Sequence, residues 1–131
     1  DGRTRYSCAM RDYRKLLVWG RARRLVGMVY SISADWPESE RFGLVSQVRR
    51  AAVSIPSNIA EGSGRQTDRE FVRFLRVAYG SSCELETQLL VASDLGFVRQ
   101  ETVGPAIAET EQIRRMLFRL AQAIARPKAD S

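Results

Sequence analysis

The chain has 131 residues, 44% of them hydrophobic and 27% charged, which suits one globular domain and excludes disorder by composition. Its apolar runs are only a few residues long, far short of the roughly 20 that cross a bilayer, so we expect no membrane span. Lysine and arginine number 21 against 15 acidic residues, and only two of the 21 are lysines. The net charge of +6 predicts an anionic partner. Histidine is absent from the sequence, which excludes catalytic and zinc sites that depend on imidazole.

We set residues 1–11 apart from the fold as a flexible arm or a non-native remnant, place the domain at 12–126 and treat 127–131 as a tail. The amino terminus has no apolar segment of the kind that a secretory signal requires, and we expect a cytoplasmic location. Cys8 and Cys83 are expected to be free thiols, because two cysteines in a helical chain rarely form a disulfide framework.

The first helix is predicted from about Asp12 to Ala34. Asp12 is a suitable N-cap, and Pro37 ends the helix because the residue before a proline is disfavoured in the α conformation. Apolar residues recur at alternating spacings of four and three, which is a heptad seam. The seam consists of Val18, Ala22, Leu25, Val29, Ile32 and Trp36.

The second helix is expected to begin between Pro37 and Glu40, where proline suits the first turn and acidic side chains suit the positive end of the helix dipole. Pro56 falls inside this helix and predicts a kink, because it removes one backbone hydrogen bond. The Gly-Ser-Gly sequence at 62–64 is the expected stop. The seam consists of Val45, Val48, Ala52, Ile55 and Ile59.

A capping-box motif from Thr67 to Glu70 predicts the start of the third helix, and Gly96 is placed to end it as a glycine just beyond the last turn. The alternation of four and three is unbroken between these two signals. This is the clearest helix in the sequence. Its seam consists of Phe71, Leu75, Ala78, Ser82, Leu85, Leu89 and Ala92.

A fourth heptad seam ends before Pro127, and two starts fit this helix. Pro105 either follows Gly104, the N-cap, as the first helical residue or lies in the first turn of a helix that begins at about Gln100. The seam consists of Ala106, Thr110, Ile113, Leu117, Leu120 and Ile124. Four such helices with short connections predict an all-α fold, an up-down-up-down four-helix bundle, and no alternating pattern supports a sheet.

No enzyme template fits the sequence, and we expect a protein without catalytic activity, cofactor or metal. The glycines at 62 and 64 lack the Gly-Lys-Ser/Thr continuation of a phosphate loop. The carboxylates of Glu61, Glu84 and Glu86 are the remaining candidates for acid–base chemistry, although such residues more often form solvated ion pairs. An enzyme would require these three groups to converge in one cleft.

A polar stripe runs along the second helix at spacings of three and four. Such a stripe usually faces water, and the alternative is that it faces another subunit, where a polar network fixes register and assembly. Gly80 and Ser81 on the third helix would permit the close approach that an interface needs. The candidate interface residues are Gln47, Arg50, Ser54, Asn58, Glu61, Gly80, Ser81 and Glu84.

Basic residues on the first three helices are candidates for phosphate contacts, because arginine binds phosphate through two parallel hydrogen bonds. A solvated face is the ordinary role of charged helix residues, but the dominance of arginine over lysine favours nucleic-acid binding. Tyr13 and Trp19 are able to stack on bases, although core or interface packing is commoner at this spacing. The candidate contacts are Arg14, Lys15, Arg21, Arg23, Arg24, Arg50, Arg73 and Arg76.

Three stretches, at residues 12–19, 46–62 and 74–86, resemble the four-helix-bundle proteins encoded by intervening sequences of 23S ribosomal RNA genes. The most distinctive is the run from Asn58 to Gly62 with the Ser-x-Pro that precedes it. The resemblance extends over about residues 11–124 and implies a ring-shaped homopentamer. A similar protein, the accessory variability determinant of diversity-generating retroelements, forms a basic pentameric barrel that binds nucleic acid and a reverse transcriptase.

Two functional hypotheses follow from the charge and from the resemblance. The first is a non-enzymatic homo-oligomer that binds or chaperones RNA or DNA through the arginines named above. The second is an interaction scaffold whose ring docks another protein, such as a reverse transcriptase, and whose positive charge is incidental. Function is carried over from relatives only by analogy at this point.

Overall fold

The structure is a computed structural model that describes residues 11–127, and within that range it contains four α-helices and no strand. This confirms the predicted all-α, four-helix fold. Cys83 is an exposed free thiol, whereas Cys8 lies outside the described residues, as do the rest of the expected arm before residue 11 and the tail after residue 127. The helices are α1 (Leu17–Ser33), α2 (Leu44–Ser63), α3 (Asp68–Asp94) and α4 (Gln100–Ala125), and short 3₁₀ turns cover Tyr13–Lys15 and Glu38–Glu40.

Each helix packs against its chain neighbours, and α1 also packs against α4, so the four close into a bundle. Contacts between α2 and α3 show the antiparallel arrangement directly. Ser54 contacts Ser81 in the middle of α3, whereas Gly62, later in α2, lies against Phe71 near the start of α3. Short connections impose the same reversal at the other turns, which gives the predicted up-down-up-down order.

The four predicted seams form one hydrophobic core. Every seam residue is buried except Ile32 and Leu120, which are partly buried against the same core. Two seam residues are polar, and each satisfies its hydroxyl within its own helix. The hydroxyls of Ser82 and Thr110 donate hydrogen bonds of 2.6 and 2.7 Å to carbonyls three and four residues earlier.

The first two helices begin later than predicted, because each predicted cap heads a separate short turn. Leu16 has an extended backbone and separates α1 from the 3₁₀ turn that Asp12 caps. The second 3₁₀ turn follows Pro37 and ends before α2. The Glu40 carboxylate then accepts a 3.1 Å hydrogen bond from the N–H of Leu44 at the start of α2. The predicted first residues of α1 and α2 are therefore wrong by several positions.

Both ends of α3 lie where the sequence placed them. The Thr67 hydroxyl accepts a 3.1 Å hydrogen bond from the N–H of Glu70. Gly96 has a φ of +79°, and the N–H groups of Gly96 and Phe97 donate to carbonyls of the last turn at 3.0 and 2.9 Å. This is the Schellman motif, and only glycine adopts its left-handed residue without strain.

Thr67→Ala is expected to lower the free energy of unfolding by about 1 kcal/mol, because the N–H of Glu70 loses its acceptor. Urea denaturation followed by circular dichroism measures the change. Thr67→Ser keeps the oxygen and is expected to stay within a few tenths of a kcal/mol of the wild type. An equal loss in both variants would assign the effect to the threonine methyl group.

The predicted Gly-Ser-Gly stop is confirmed, because α2 ends at Ser63 with Gly64 as its C-cap, but Gly62 also has a packing role that the sequence did not predict. The helix continues to Ser63, and Gly62 is buried where α2 crosses α3. A Cβ atom at this position would lie 2.6 Å from the Cβ of Phe74 and 3.1 Å from the ring of Phe71. Gly62 therefore permits close packing of two helices. Gly80, which was expected to permit the close approach of another subunit, has no neighbour within 4 Å in the single chain, so this prediction stays open.

Two further boundaries are decided by the structure. Helix α4 begins at Gln100, the earlier of the two predicted starts, so Pro105 lies inside it. Helix α2 continues through Pro56 without a break. Arg11 belongs to the fold, although it was assigned to the arm, because its guanidinium pairs with Asp68 and lies 4.4 Å over the ring of Phe71.

Candidate nucleic-acid interface

Arg21, one of the predicted phosphate contacts, is occupied by an ion pair between α1 and α4. Its guanidinium donates to both carboxylate oxygens of Glu109, at 2.9 and 2.7 Å, and the two side chains are 28% and 23% exposed. The hydrogen bond from Arg21 holds the pKa of the Glu109 carboxyl below its ordinary value of 4.5. Because these donors are already used, we remove Arg21 from the candidate phosphate contacts.

Glu109→Gln is expected to lower the free energy of unfolding at neutral pH by about 1 to 2 kcal/mol, because Arg21 loses its charged acceptor. The folded pKa of Glu109 is depressed, so its contribution is present above pH 4.5 and is lost as the pH falls through the folded pKa. Urea unfolding at several pH values should therefore show the wild-type advantage shrinking below about pH 4.5. Glu111→Gln on the same helix serves as the control, and an advantage that does not change with pH would exclude charge as its cause.

The other predicted cations of the first helix region do not form one site. Arg14 lies in the first 3₁₀ turn and pairs with Asp12 at 3.1 Å, which raises the pKa of the guanidinium further. Arg23 lies over the indole of Trp19, with 5.5 Å to the ring centroid. Lys15 and Arg24 are exposed. Tyr13 and Trp19, the two aromatic candidates for base stacking, contact each other edge to face at 5.1 Å.

A groove between α3 and α4 contains the two remaining α3 candidates, Arg73 and Arg76. It consists of three adjoining depressions, because Arg76 lines the first two and both Tyr79 and Phe118 line the last two. We call this surface the α3–α4 groove. It is defined by Arg69, Arg73, Arg76 and Tyr79 from α3 and by Arg114, Arg115, Phe118, Arg119 and Gln122 from α4.

Four of the six arginines of the α3–α4 groove have no carboxylate partner among residues 11–127. Arg73 pairs with Glu70 at 3.3 Å, and Arg114 pairs with Glu86 at 2.5 Å in a largely buried bridge between α3 and α4. The others are exposed, and within residues 11–127 no carboxylate pairs with them. They are Arg69, Arg76, Arg115 and Arg119. Arg115 Nη1 donates a 3.4 Å hydrogen bond to Gln112 Oε1 and keeps its other donors, so the groove presents four guanidinium groups with donors available to an anion.

Arg50, the α2 candidate, lies on another surface. It lines a groove between α1 and α2 together with Tyr30, Phe42 and Val53, so the structure does not bring it together with Arg73 and Arg76. Phe42 is 87% exposed there. We call this surface the α1–α2 groove.

The predicted polar network exists in part, and it joins two helices of one chain. The Ser54 and Ser81 hydroxyls are 2.8 Å apart across α2 and α3. Asn58 Nδ2 donates to the carbonyl and hydroxyl oxygens of Ser54, at 2.8 and 2.9 Å. The remaining candidate interface residues are exposed in the single chain: Gln47, Arg50, Glu61, Gly80 and Glu84.

The three carboxylates considered for acid–base chemistry each have a different partner. Glu84 and Glu86 project from different faces of α3, and Glu61 lies near the end of α2. The pairs are Glu61–Arg65 at 2.6 Å, Glu84–Gln88 at 3.4 Å and Glu86–Arg114 at 2.5 Å. In the part of the chain that the structure describes, no cluster of acidic or cysteine side chains is arranged to hold a metal ion, and no helix has the length and apolarity to cross a membrane.

Comparison with known proteins identifies the family of this four-helix bundle. The family model described as 23S rRNA-intervening sequence protein matches residues 14–119, most of the described chain. The chain belongs to this family. A crystal structure of a protein with unknown function, from the S23 ribosomal protein family of Bacteroides thetaiotaomicron, superposes with a TM-score of 0.73 at 19% identity, and the match covers 81% of this chain and 99% of that one. Curated proteins give no match.

The family resemblance seen in the sequence is thus confirmed, and the structural likeness extends to the fold. The α3–α4 groove of this intervening-sequence family member was not predicted from the sequence. Tyr79 and Phe118 were missed, although a recognisable signal marks them. Each is a large aromatic residue outside its heptad seam and within one turn of an arginine.

Proposed function

We propose that this protein is a non-enzymatic homo-oligomer that binds nucleic acid, with the α3–α4 groove as the phosphate-binding surface. The observation that supports it is a set of four exposed arginines on two adjacent helices, for which residues 11–127 supply no carboxylate partner. An unpaired guanidinium keeps its donors for bidentate contact with phosphate. The α1 arginines contribute less in this proposal, since Arg14 and Arg21 are ion-paired.

Binding in this proposal is governed by charge. Contacts to phosphates position a protein on nucleic acid but read no sequence, so RNA and DNA are both expected ligands. The net charge of +6 per chain is multiplied in an oligomer and strengthens the attraction.

Fluorescence anisotropy with labelled oligonucleotides tests the proposal. The observed association constant is expected to fall linearly with salt on logarithmic axes, with a slope of about −0.7 for each phosphate contact to a single strand. Four contacts would give a slope of about −3. Absence of binding at low ionic strength, or binding insensitive to salt, would refute the proposed function.

The homo-oligomer, a pentamer by family resemblance, is the second part of the proposal. The exposed stripe residues Gln47 and Glu61 and the open surface at Gly80 support an interface on the outer α2–α3 face. Native mass spectrometry is expected to give five times the chain mass. Gly80→Arg is expected to shift the protein to monomer, because a long side chain would stand where the second subunit packs. An unchanged mass would exclude this face.

A protein-docking scaffold is the second candidate function, and the 87% exposure of Phe42 favours it. Large exposed apolar side chains in grooves are typical of protein interfaces. Phe42→Ser is expected to abolish capture of a purified partner, such as a reverse transcriptase, while oligonucleotide affinity stays unchanged. Retained capture would contradict docking at the α1–α2 groove.

A further inference from the structure

Two aromatic rings lie exposed in the middle of the α3–α4 groove. Tyr79 is 38% exposed and Phe118 is 54% exposed, and each lines both of the adjoining depressions there. Phe118 directly follows Leu117, which is buried, so the ring is outside the core that its neighbour fills. Exposure of two large rings in one groove costs hydrophobic stabilisation and points to a ligand that covers them.

Arginines flank both rings at helical spacing. Arg76 precedes Tyr79 by one turn, and Arg115 precedes Phe118 by one turn, so each pair of side chains shares a helix face. Arg119 lines the same depression as Phe118. Guanidinium groups that can bind phosphate thus alternate along the groove with aromatic rings on which a base can stack.

Among the aromatic residues of 11–127, Tyr79 and Phe118 differ from the others in having no arginine or second aromatic ring against their faces. Arg73 lies over Phe74 at 4.6 Å, and Arg49 lies over Tyr30 at 4.4 Å. Within residues 11–127, no arginine lies over the ring of Tyr79 or Phe118, and neither ring contacts another aromatic ring. The neighbouring guanidiniums therefore do not compete with a planar ligand for the exposed parts of these two rings.

We infer that the α3–α4 groove selects single-stranded nucleic acid by stacking unpaired bases on Tyr79 and Phe118 while the flanking arginines hold the phosphates. In a duplex the bases are already stacked on each other, and only the phosphates are accessible to such a surface. Stacking on an aromatic face accepts any base, so the groove discriminates strandedness and not sequence. This inference rests on the proposed nucleic-acid binding and adds its ligand class.

The test compares four labelled probes: oligothymidylate and oligouridylate of about 15 nucleotides, an abasic oligonucleotide of equal length, and a hairpin duplex. The wild type is expected to bind the first two tighter than the abasic strand, which has equal charge and no bases. Tyr79→Leu and Phe118→Leu are each expected to weaken binding of the first two at least about fivefold. Affinity for the abasic strand and the duplex stays within about twofold, and the salt slope does not change, because no charge is removed.

Matched variants separate stacking from a change of shape. Phe42→Leu removes a more exposed ring outside the groove and is expected to leave every affinity unchanged. Tyr79→Phe and Phe118→Tyr keep an aromatic face and are expected to retain wild-type binding. Thermal unfolding by circular dichroism confirms that each variant is folded.

Each outcome has one interpretation. Equal binding of the abasic strand and oligothymidylate by the wild type overturns base stacking, without reliance on any variant, and leaves the proposed function intact. Parallel losses on all four probes in the leucine variants also overturn it, since the rings would then shape the groove only. Failure of the wild type to bind any probe at low salt refutes the proposed function itself.

Discussion

Gly62→Ala is expected to lower the free energy of unfolding by about 2 to 3 kcal/mol, although alanine is the better helix former. The added methyl group would lie 2.6 Å from the Cβ of Phe74 and 3.3 Å from the backbone carbonyl of Phe71. Neither atom is the end of a flexible side chain, so relief requires α3 to move away from α2. That movement opens the most extensive helix pair of the bundle.

Gly27→Ala is the matched control for this prediction. Gly27 lies inside α1 and is exposed, and a Cβ atom added there would have no neighbour within 4 Å, so alanine meets no obstacle. It is expected to stabilise the protein by about 0.5 to 1 kcal/mol, through helix propensity alone. Urea denaturation at one protein concentration compares the two, because assembly makes stability depend on concentration. Unchanged stability of Gly62→Ala would contradict the close crossing of α2 and α3.

The helices and their buried faces were predictable from sequence because burial imposes a period on each helix independently. A residue such as Leu85 is buried because of its place in its own heptad, whatever the partner helix is. The caps of α3 were predictable for a similar reason. Thr67 and Gly96 act on backbone groups within a few residues of themselves.

Features that depend on which helices are neighbours were not predictable from one helix at a time. The sequence around Gly62 predicts the stop that ends α2, but the close crossing at Gly62 depends on the position of Phe74, which no local pattern shows. Arg21 has the sequence context of a solvated cation, yet Glu109 of α4 neutralises it. The α3–α4 groove likewise requires Tyr79 and Phe118 to meet from distant parts of the chain.

Replacing Arg76, Arg115 and Arg119 by glutamine is expected to weaken oligonucleotide binding about a hundredfold at roughly 0.1 M salt. Each lost contact to a single strand removes about 0.7 from the salt slope, which is about fivefold in affinity at that concentration, and three such losses multiply. Glutamine and arginine have similar helix propensities, and all three side chains are exposed, so we expect the variant to fold like the wild type. The same anisotropy titration, repeated over a salt series, measures affinity and slope together.

The control replaces Lys15, Arg23 and Arg24 by glutamine, which removes the same three positive charges from the α1 side of the bundle. If the α3–α4 groove is the binding surface, this variant loses only the weak long-range attraction of the net charge, a few-fold at most, because salt screens charges beyond about 10 Å. Equal losses in the two variants would show that the overall charge binds without a defined site. A larger loss in the control would show that the cations of the α1 side form the binding site. The two triple variants have the same net charge and differ only in where the charge was removed, so the comparison separates these cases.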